Sequence, residues 1–371
     1  MILHISDLHI GRDLNGFSLI DDQRYALDQI INLIIERNIK YLILAGDIFD
    51  KYNPSNDAQE LFEEFIVNIS RLNIRTIIIS GNHDSKVRLS YLSSFLKSNN
   101  IYIFTEVDEK PNFIEFDDDK LSFLPLPYIN YSDLKFKLKS NETNETLHKI
   151  VIDNYFSNAN KDYKHICIAH NLITGSKLSD SERTLSVGGL DELSRELFYS
   201  FNYTALGHLH IRQNLGNNIY YSGSLMKYSI SEFNNINTIN IYDFENDNVE
   251  RISIKTLHNY RIINDYFDNI INNASNDINK DDYIHIELKN DKLVYDAYQR
   301  LSKYYTNLVS ISLPNINNED DNIKDIDFHI ENKSELEIFK DFYKNLLKKD
   351  ISDESVEIIS NIINEINKEE E

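Results

Sequence analysis

Five short segments of the sequence carry carboxylates, imidazoles or an amide in patterns that suit metal binding. Together they offer seven potential ligands and no thiolate, a set that suits Mn, Fe, Mg or Zn with open coordination positions. Seven ligands exceed what one tetrahedral ion uses, so two metal ions are the economical interpretation. In chain order, the segments are Asp7-Leu8-His9, Gly46-Asp47-Ile48-Phe49-Asp50, Gly81-Asn82-His83-Asp84, His170 and Gly207-His208-Leu209-His210.

Two metal ions about 3.5–4 Å apart bind a hydroxide nucleophile and stabilise the oxygens of an in-line phosphoryl displacement. One carboxylate must then bridge the ions, and Asp47, on the central of three early strands, is the candidate. His83 would remain free to act as a general acid, a role that contributes about 10²–10⁴-fold to a rate. Either Asp50 or Asp84 would orient its ring.

Each segment alone has an ordinary explanation, because Asn, Asp and Gly are common in surface turns. The joint occurrence of all five after predicted strands is what favours a site. The single cysteine, Cys167, lies in an apolar segment and is interpreted as a core residue. The histidines outside the five segments are interpreted as structural; they are His4, His148, His165, His258, His285 and His329.

Apolar runs before the first three segments predict buried strands over 2–6, 41–45 and 76–80. Apolar residues at helical spacing predict a helix over 22–37 and a second helix that begins near Asn53-Pro54. Strands and helices thus alternate as a βαβαβ unit with right-handed crossovers. In open α/β sheets, ligands bind at the carboxyl ends of the strands, which is where the three segments lie.

The later chain repeats this pattern and then changes character. Further strands are predicted over 165–169, 203–206, 218–221, 238–242, 249–254, 283–288 and 308–313. A helix over 292–304 joins the last two strands into a small αβ unit, beside a polar stretch over 269–282. Two amphipathic helices are predicted near the end of the chain, the first with a capping box at Ser334. The apolar faces of these helices either bind a partner or pack on their own domain.

Composition restricts the function classes. The 371 residues suffice for two or three domains, and 41% apolar and 26% charged residues are ordinary for a globular protein. No apolar run approaches the roughly 20 residues needed to cross a bilayer, and the N-terminus lacks the pattern of a signal peptide, so a cytoplasmic protein without a membrane partner is expected. The net charge of −22 argues mildly against a nucleic-acid partner, although residues 315–371 alone carry 17 acidic against 7 basic side chains.

In this order, the five segments resemble the calcineurin-like metallophosphoesterase superfamily over residues 1 to about 225. Within it, Asp7–Gly11, Ser179–Glu182 and Tyr221–Ser224 resemble the SbcD nuclease subunits of bacterial SbcCD complexes. The resemblance implies an α/β fold, a four-layer α/β/β/α sandwich with a small C-terminal α+β capping domain and C-terminal helices. The implied boundaries are 1–258 for the nuclease domain, 259–314 for the capping domain, 315–333 for an acidic linker and 334–371 for a helical partner-binding segment.

The resemblance also implies a role for each site residue. One Mn ion would be held by Asp7, His9, Asp47 and His210. The other would be held by Asp47, Asn82, His170 and His208. His83 takes the catalytic position, with Asp50 as its partner. The capping domain would help to hold DNA, and the candidate DNA contacts near the motifs are Arg12, Lys177 and Arg183.

Functions of different classes remain open. The first is an Mn-dependent nuclease, acting as an exonuclease on duplex ends and an endonuclease on hairpins or single strands in DNA repair. The resemblance implies a nucleoid-associated homodimer within a heterotetramer, bound through its tail helices to an SbcC-type coiled-coil ATPase. The second is a stand-alone phosphatase or cyclic-nucleotide phosphodiesterase, which the acidity favours and the C-terminal appendages oppose. A scaffold subunit with an inactive site is disfavoured because no ligand position is missing.

Overall fold

The structure is a computed structural model that describes residues 1–178 and 192–314, with isolated positions at 336, 340, 351, 355, 356, 359 and 360. The chain divides into two compact units, Met1–Pro314 and Asn315–Glu371. The linker expected over 315–333, most of the expected tail helices, the Ser179–Glu182 motif and Arg183 lie outside the described residues. The domain boundaries inferred from the sequence stay predictions.

Strands and helices alternate through most of the described chain. The strands are β1 (Ile2–Ile5), β2 (Asp13–Leu14), β3 (Phe17–Ser18), β4 (Tyr41–Ala45), β5 (Arg75–Ile79), β6 (Ile101–Phe104), β7 (Ile114–Phe116), β8 (Leu121–Leu126), β9 (Lys164–His170), β10 (Tyr203–Gly207), β11 (Gln213–Asn214), β12 (Ile219–Tyr221), β13 (Thr238–Asp243), β14 (Asn248–Ser253), β15 (Tyr260–Asp265), β16 (Tyr283–Leu288) and β17 (Leu308–Ser312). The helices are α1 (Ile20–Glu36), α2 (Asn56–Arg71), α3 (Lys86–Leu89), α4 (Ser93–Lys97), α5 (Tyr131–Leu138), α6 (Asn144–Asn158), α7 (Phe267–Ala274) and α8 (Ala297–Leu301), with 3₁₀ helices over Arg195–Phe198 and Ile230–Glu232. None of these described helices has the length and apolar composition needed to cross a membrane.

Two six-stranded sheets carry the fold. The first has the strand order β14-β13-β1-β4-β5-β6, and the second has the order β11-β12-β10-β9-β8-β7. Strands β1, β4, β5 and β6 are parallel, and so are β8, β9, β10 and β12. As predicted, α1 and α2 each join two neighbouring parallel strands, which brings the carboxyl ends of β1, β4 and β5 to one edge.

Alternate side chains of the first sheet face opposite layers, as the strand repeat of two requires. Leu3 and Leu42 pack with α1 and α2 in one apolar cluster. Tyr41 and Ile43 point the other way and pack against Ile168 of the second sheet. The outer face of the second sheet, which includes the buried Cys167, packs on α5 and α6. The predicted α/β class and its four-layer sandwich are confirmed.

Strands β15, β16 and β17 form a third, parallel sheet, called here the small sheet. Helices α7 and α8 connect its strands, and Phe267 and Leu301 pack on Ile284 and Ile286. Sequence analysis missed β15 because it is an edge strand that mixes polar and apolar residues. It also missed α7, because the Asn-rich sequence hides an apolar stripe.

Two helices have different bounds in the structure from those predicted. Helix α2 is capped by Ser55, whose Oγ accepts a hydrogen bond from the Ala58 N–H at 3.3 Å, so that Pro54 lies before the cap and not in the first helical turn. Helix α8 covers only five residues of the range predicted over 292–304. Leu293 and Tyr295 are 80% and 85% exposed, so the first half of the predicted helix has no packing surface to stabilise it.

Candidate active site

The five predicted segments converge at the carboxyl ends of five strands, three from the first sheet and two from the second. The first three segments leave β1, β4 and β5, and the last two leave β9 and β10. The Asp7 N–H donates to the Gly46 carbonyl at 3.1 Å, and the His9 N–H donates to the Asp47 carbonyl at 3.0 Å. The His208 N–H donates to the Asp7 carboxylate at 2.9 Å, which joins the loops of the two sheets.

Four of the predicted ligands have left-handed backbone conformations. Their φ angles are 52° at Asp7, 42° at His9, 49° at Asp47 and 98° at His208. Such a conformation costs a residue with a side chain on the order of 1–3 kcal/mol, and persists only where surrounding contacts enforce it. The fold therefore gives up stability to aim these side chains, as functional sites often do.

Two glycines allow the loops to approach one another closely. A Cβ atom on Gly81 would lie 2.1 Å from Asp47 Oδ1, and one on Gly207 would lie 1.9 Å from the Ala45 carbonyl oxygen. Contacts below 3.0 Å do not occur at real Cβ atoms. Glycine is required at both positions because the backbone there lies directly against the site.

Asp7, His9 and His210 form the first group of potential ligands, with ligand atoms all within 4.8 Å of one another. The Nε2 atoms of His9 and His210 face each other at 3.1 Å. On its other side, His210 Nδ1 lies 3.0 Å from Glu232 Oε1. Since an ionised carboxylate only accepts hydrogen bonds, Nδ1 carries the proton and Nε2 of the neutral ring presents a lone pair.

Asn82, His170 and His208 form the second group. Asn82 Oδ1 lies 3.0 Å from His170 Nε2 and 3.1 Å from His208 Nδ1. His170 Nδ1 donates to the Ala45 carbonyl oxygen at 2.8 Å. This backbone contact fixes the ring orientation and directs Nε2 into the site, as the outer partner of a metal-binding histidine does.

Asp47 lies between the two groups. Its Oδ2 atom is 3.3 Å from His170 Nε2 and 3.6 Å from His9 Nε2. Its Oδ1 atom accepts a hydrogen bond from the His83 N–H at 2.9 Å. One carboxylate oxygen thus faces a histidine of each group, which is the placement that a bridging ligand requires.

Burial and the Asp47 charge together set the protonation of the site. Burial raises the pKa of Asp7 to about 6 and lowers the pKa of His208 to about 3. Burial also lowers the pKa of His170, but the Asp47 carboxylate raises it more, to about 9. Burial alone would raise the pKa of Asp47, yet His170 holds it below its ordinary value. Without a metal ion, the proton on His170 therefore supplies the positive charge next to the Asp47 carboxylate. Metal binding would release this proton.

A divalent cation fits this donor set. His9 can donate from Nε2 to His210 only by leaving its buried Nδ1 atom without a hydrogen-bond partner. His9 and His210 would instead hold a divalent cation through their Nε2 lone pairs, which requires no proton between the two rings. The cation would also offset the cost of burying the Asp7 and Asp47 carboxylates next to each other.

His83 lies beside the first group and the shared carboxylate, with its ligand atom within 4.8 Å of those of His9 and Asp47. Its Nδ1 atom, however, lies 2.7 Å from the backbone carbonyl oxygen of Asp50. The expected partner of His83 therefore contacts it through the main chain. The Asp50 carboxylate instead accepts a hydrogen bond from Arg12 Nη1 at 2.7 Å.

Asp84, the other partner considered for His83, ties the loops together. Its carboxylate accepts backbone hydrogen bonds from Ile48 at 3.1 Å, Phe49 at 2.9 Å and Gly81 at 2.8 Å. These contacts hold the loop after β4 against the loop after β5. Asp84 thus supports the site without facing it.

The candidate DNA contacts are placed differently from one another. Arg12 is paired with Asp50, and its guanidinium lies 5.6 Å from the centre of the Tyr228 ring. The Lys177 backbone exchanges two hydrogen bonds with the Gln213 side chain, which fixes the chain beside β11. Arg183 lies outside the described residues.

Sequence analysis missed the residues that hold the ligands from behind. Glu232 orients His210, Gln23 donates to the His9 carbonyl at 2.8 Å, and Ser222 Oγ lies 2.8 Å from Ser6 Oγ next to Asp7. Only Ser222 lay in a segment that had attracted notice. Glu232 and Gln23 stand alone in the sequence, and no spacing rule connects either to its histidine.

Family models match the chain in two places. A model described as calcineurin-like phosphoesterase matches residues 1–212, more than half of the chain and all five segments. The chain belongs to the calcineurin-like phosphoesterase family. A second model, for the SbcD C-terminal domain and described as the type 5 capsule protein repressor C-terminal domain, matches residues 257–346. The resemblance to SbcD-type nuclease subunits is therefore confirmed.

Two solved structures are similar to the chain. The protein TT1561 of Thermus thermophilus is 14% identical with a TM-score of 0.43, over 68% of this chain and 98% of that one. A dimetal phosphatase from Danio rerio is 12% identical with a TM-score of 0.37, over 59% of this chain and 85% of that one. As a calcineurin-like phosphoesterase with this buried ligand set, the protein is a metal-dependent hydrolase of phosphate esters that uses divalent cations.

Replacement of Glu232 by Gln tests the outer contact of His210 in this phosphoesterase. Glu232 accepts from both His210 Nδ1 and the Tyr228 N–H, whereas an amide has a single acceptor oxygen and leaves one buried donor unpaired. We expect the affinity for a divalent cation, measured by isothermal titration calorimetry with Mn²⁺ as the probe, to fall about 10–100-fold. The control is Glu250→Gln, an exposed glutamate paired with Arg37. Unchanged affinity in the Glu232 variant would show that this contact does not position His210.

Proposed function

We propose that the protein is an Mn-dependent DNA nuclease subunit that acts with an SbcC-type coiled-coil ATPase in DNA repair. The observation that carries this proposal is the order of matches in one chain, a phosphoesterase site followed by an SbcD C-terminal domain. Its activities would be exonuclease on duplex ends and endonuclease on hairpins and single strands. DNA binding would place it on the cytoplasmic nucleoid.

Two Mn ions would be held by the groups described above. Asp7, His9 and His210 would hold one ion, Asn82, His170 and His208 the other, and Asp47 would bridge them. Bound divalent ions supply Lewis-acid stabilisation to the phosphoryl oxygens and an activated nucleophile. The shared Asp47 oxygen supports two neighbouring ions better than one, because it faces a histidine from each group.

His83 would supply the proton for the leaving oxygen. Its Nδ1–H donates to the Asp50 carbonyl, which fixes the orientation of the ring and turns Nε2 away from that contact. Nε2 of the protonated ring is then the atom that donates to the departing alkoxide. The perpendicular His9 ring, with its centre 4.8 Å away, packs against His83 and keeps it next to the first group of ligands.

The parts of the chain beyond the phosphoesterase site bear on the class of substrate. A phosphatase or cyclic-nucleotide phosphodiesterase is the alternative, and the net charge of −22 favours it. The small sheet and the terminal unit favour a macromolecular substrate, because a small phosphate ester needs neither. Arg12, Lys177 and Arg183 are proposed to contact the DNA backbone near the site.

The proposed contact between the two copies of this chain in the heterotetramer is the surface of α3 and α4. Val87, Tyr91, Leu92 and Phe95 lie on this short segment and are between 56% and 77% exposed. The segment follows directly on the loop of His83, so a second copy bound there would place two sites near each other. Large exposed apolar side chains grouped in this way mark an interaction surface.

Replacement of His83 by Ala should abolish proton delivery while the metal groups remain intact. We expect cleavage of linear duplex DNA by the Mn-loaded complex with its ATPase to fall about 10²–10⁴-fold. Mn²⁺ binding, measured by electron paramagnetic resonance, should be retained. Full nuclease activity in this variant would remove His83 from the reaction. Turnover of bis(p-nitrophenyl) phosphate or cyclic AMP by the wild type, with none of DNA, would favour the alternative function.

Deletion of residues 330–371 should separate the nuclease from its ATPase. The unit Met1–Pro314 is compact by itself, so the truncated chain should keep its fold and its hydrolysis of small phosphodiesters. We expect co-purification with a co-expressed coiled-coil ATPase to be lost. Retention of the ATPase by the truncated chain would place the partner surface elsewhere.

Replacement of Phe95 by Asp should weaken the dimer, because a charge cannot be buried at an apolar contact without a partner. We expect sedimentation velocity to show a shift from dimer to monomer at micromolar concentration. Phe136→Asp is the matched control, since Phe136 is 84% exposed on α5, outside the α3–α4 segment. A dimer that survives in the Phe95 variant would exclude this surface.

A further inference from the structure

Gln23, in the first turn of α1, is buried and holds the loop that carries Asp7 and His9. Its Nε2 atom donates to the carbonyl oxygens of Leu8 at 3.2 Å and of His9 at 2.8 Å. Its Oε1 atom accepts from the Gly11 N–H at 3.0 Å. One amide thus bonds to three backbone groups of an irregular buried loop, alongside the Arg12 N–H, which also donates to the His9 carbonyl at 3.0 Å.

The hydrogen bond from Gln23 to the His9 carbonyl affects the orientation of a predicted metal ligand. His9 has a left-handed backbone with φ of 42°, a conformation that surrounding contacts must enforce. Tyr228 donates to the same Leu8 carbonyl, so two side chains from outside the loop fix it. The loop over 7–11, called here the site loop, is therefore held from α1.

The neighbouring residue on α1 holds the small sheet. Asp22 is buried, and its carboxylate accepts from the backbone N–H of His258 at 3.0 Å and from His258 Nδ1 at 2.9 Å. The hydroxyl of Tyr283, the first residue of β16, donates to the same carboxylate at 3.1 Å. One helical turn thus contacts the small sheet through Asp22 and the site loop through Gln23.

We propose that the first turn of α1 couples the small sheet to the metal centre, with Gln23 as the residue that positions His9. Movement of the small sheet would shift Asp22, and with it Gln23 and the site loop. This inference rests on the proposed function, in which the site loop holds a metal ion and the small sheet helps to hold DNA. It gives the enzyme a way to adjust its metal centre when the small sheet engages a substrate.

The test is the Mn²⁺ affinity of the full-length protein, measured by electron paramagnetic resonance of the free ion. Gln23→Met removes all three hydrogen bonds at similar volume and should weaken binding about 10–100-fold. Gln23→Glu keeps the acceptor for Gly11 but has no donor for the two carbonyls, and should also weaken binding. Tyr283→Phe, which touches no site residue, should weaken binding roughly 2- to 30-fold through Asp22.

The matched control is Gln29→Met, on the same helix. Gln29 contacts the Lys255 backbone and not the site loop, so its loss should leave Mn²⁺ affinity unchanged. Thermal unfolding in EDTA checks that each variant is folded, and if Gln23→Met is not, Gln23→Glu and Tyr283→Phe decide. Wild-type affinity in the folded Gln23 variants or in Tyr283→Phe would overturn the coupling. A wild-type protein that binds no Mn²⁺ would instead overturn the proposed metal.

Discussion

The site depends on the sharing of one buried carboxylate, that of Asp47. One of its oxygens faces the imidazoles of His9 and His170, and the other accepts the His83 N–H. A carboxylate with this many neighbours tolerates no shift of its loop. Gly81, where a Cβ atom would strike Asp47, and Asp84, which ties the two loops together, follow from the same constraint.

Metal ions would also explain how so acidic a protein can act on negatively charged phosphate esters. With a net charge of −22, the chain has no general attraction for phosphate, and Arg12 is already paired with a carboxylate. Cations held at the sheet edge would supply positive charge where the reaction needs it. In this arrangement the surface can remain acidic, and attraction to the substrate is concentrated at the reacting phosphate.

Sequence analysis predicted those parts of the molecule in which local pattern and tertiary structure agree. Strands β1, β4 and β5 are apolar runs that become buried, and their polar continuations must meet because parallel strands share an edge. The helix expected over 292–304 was wrong in extent because spacing does not reveal whether a packing surface exists. Glu232 and Gln23 escaped notice because their importance comes only from contacts made over long sequence distances. The contact between His83 and the Asp50 carbonyl could not be predicted, because residue types do not indicate which backbone carbonyl a side chain will contact.

The position of β1 in the first sheet has a consequence for the order in which the protein is made. β1 lies between β4 and β13, so one of its neighbours comes from the start of the chain and the other from residues 238–243. At about 5–20 residues per second, a ribosome delivers the second neighbour roughly 10–50 s after the first strand. A nascent chain therefore passes through a stage at which every ligand up to His210 has been synthesised while β1 still presents an open sheet edge.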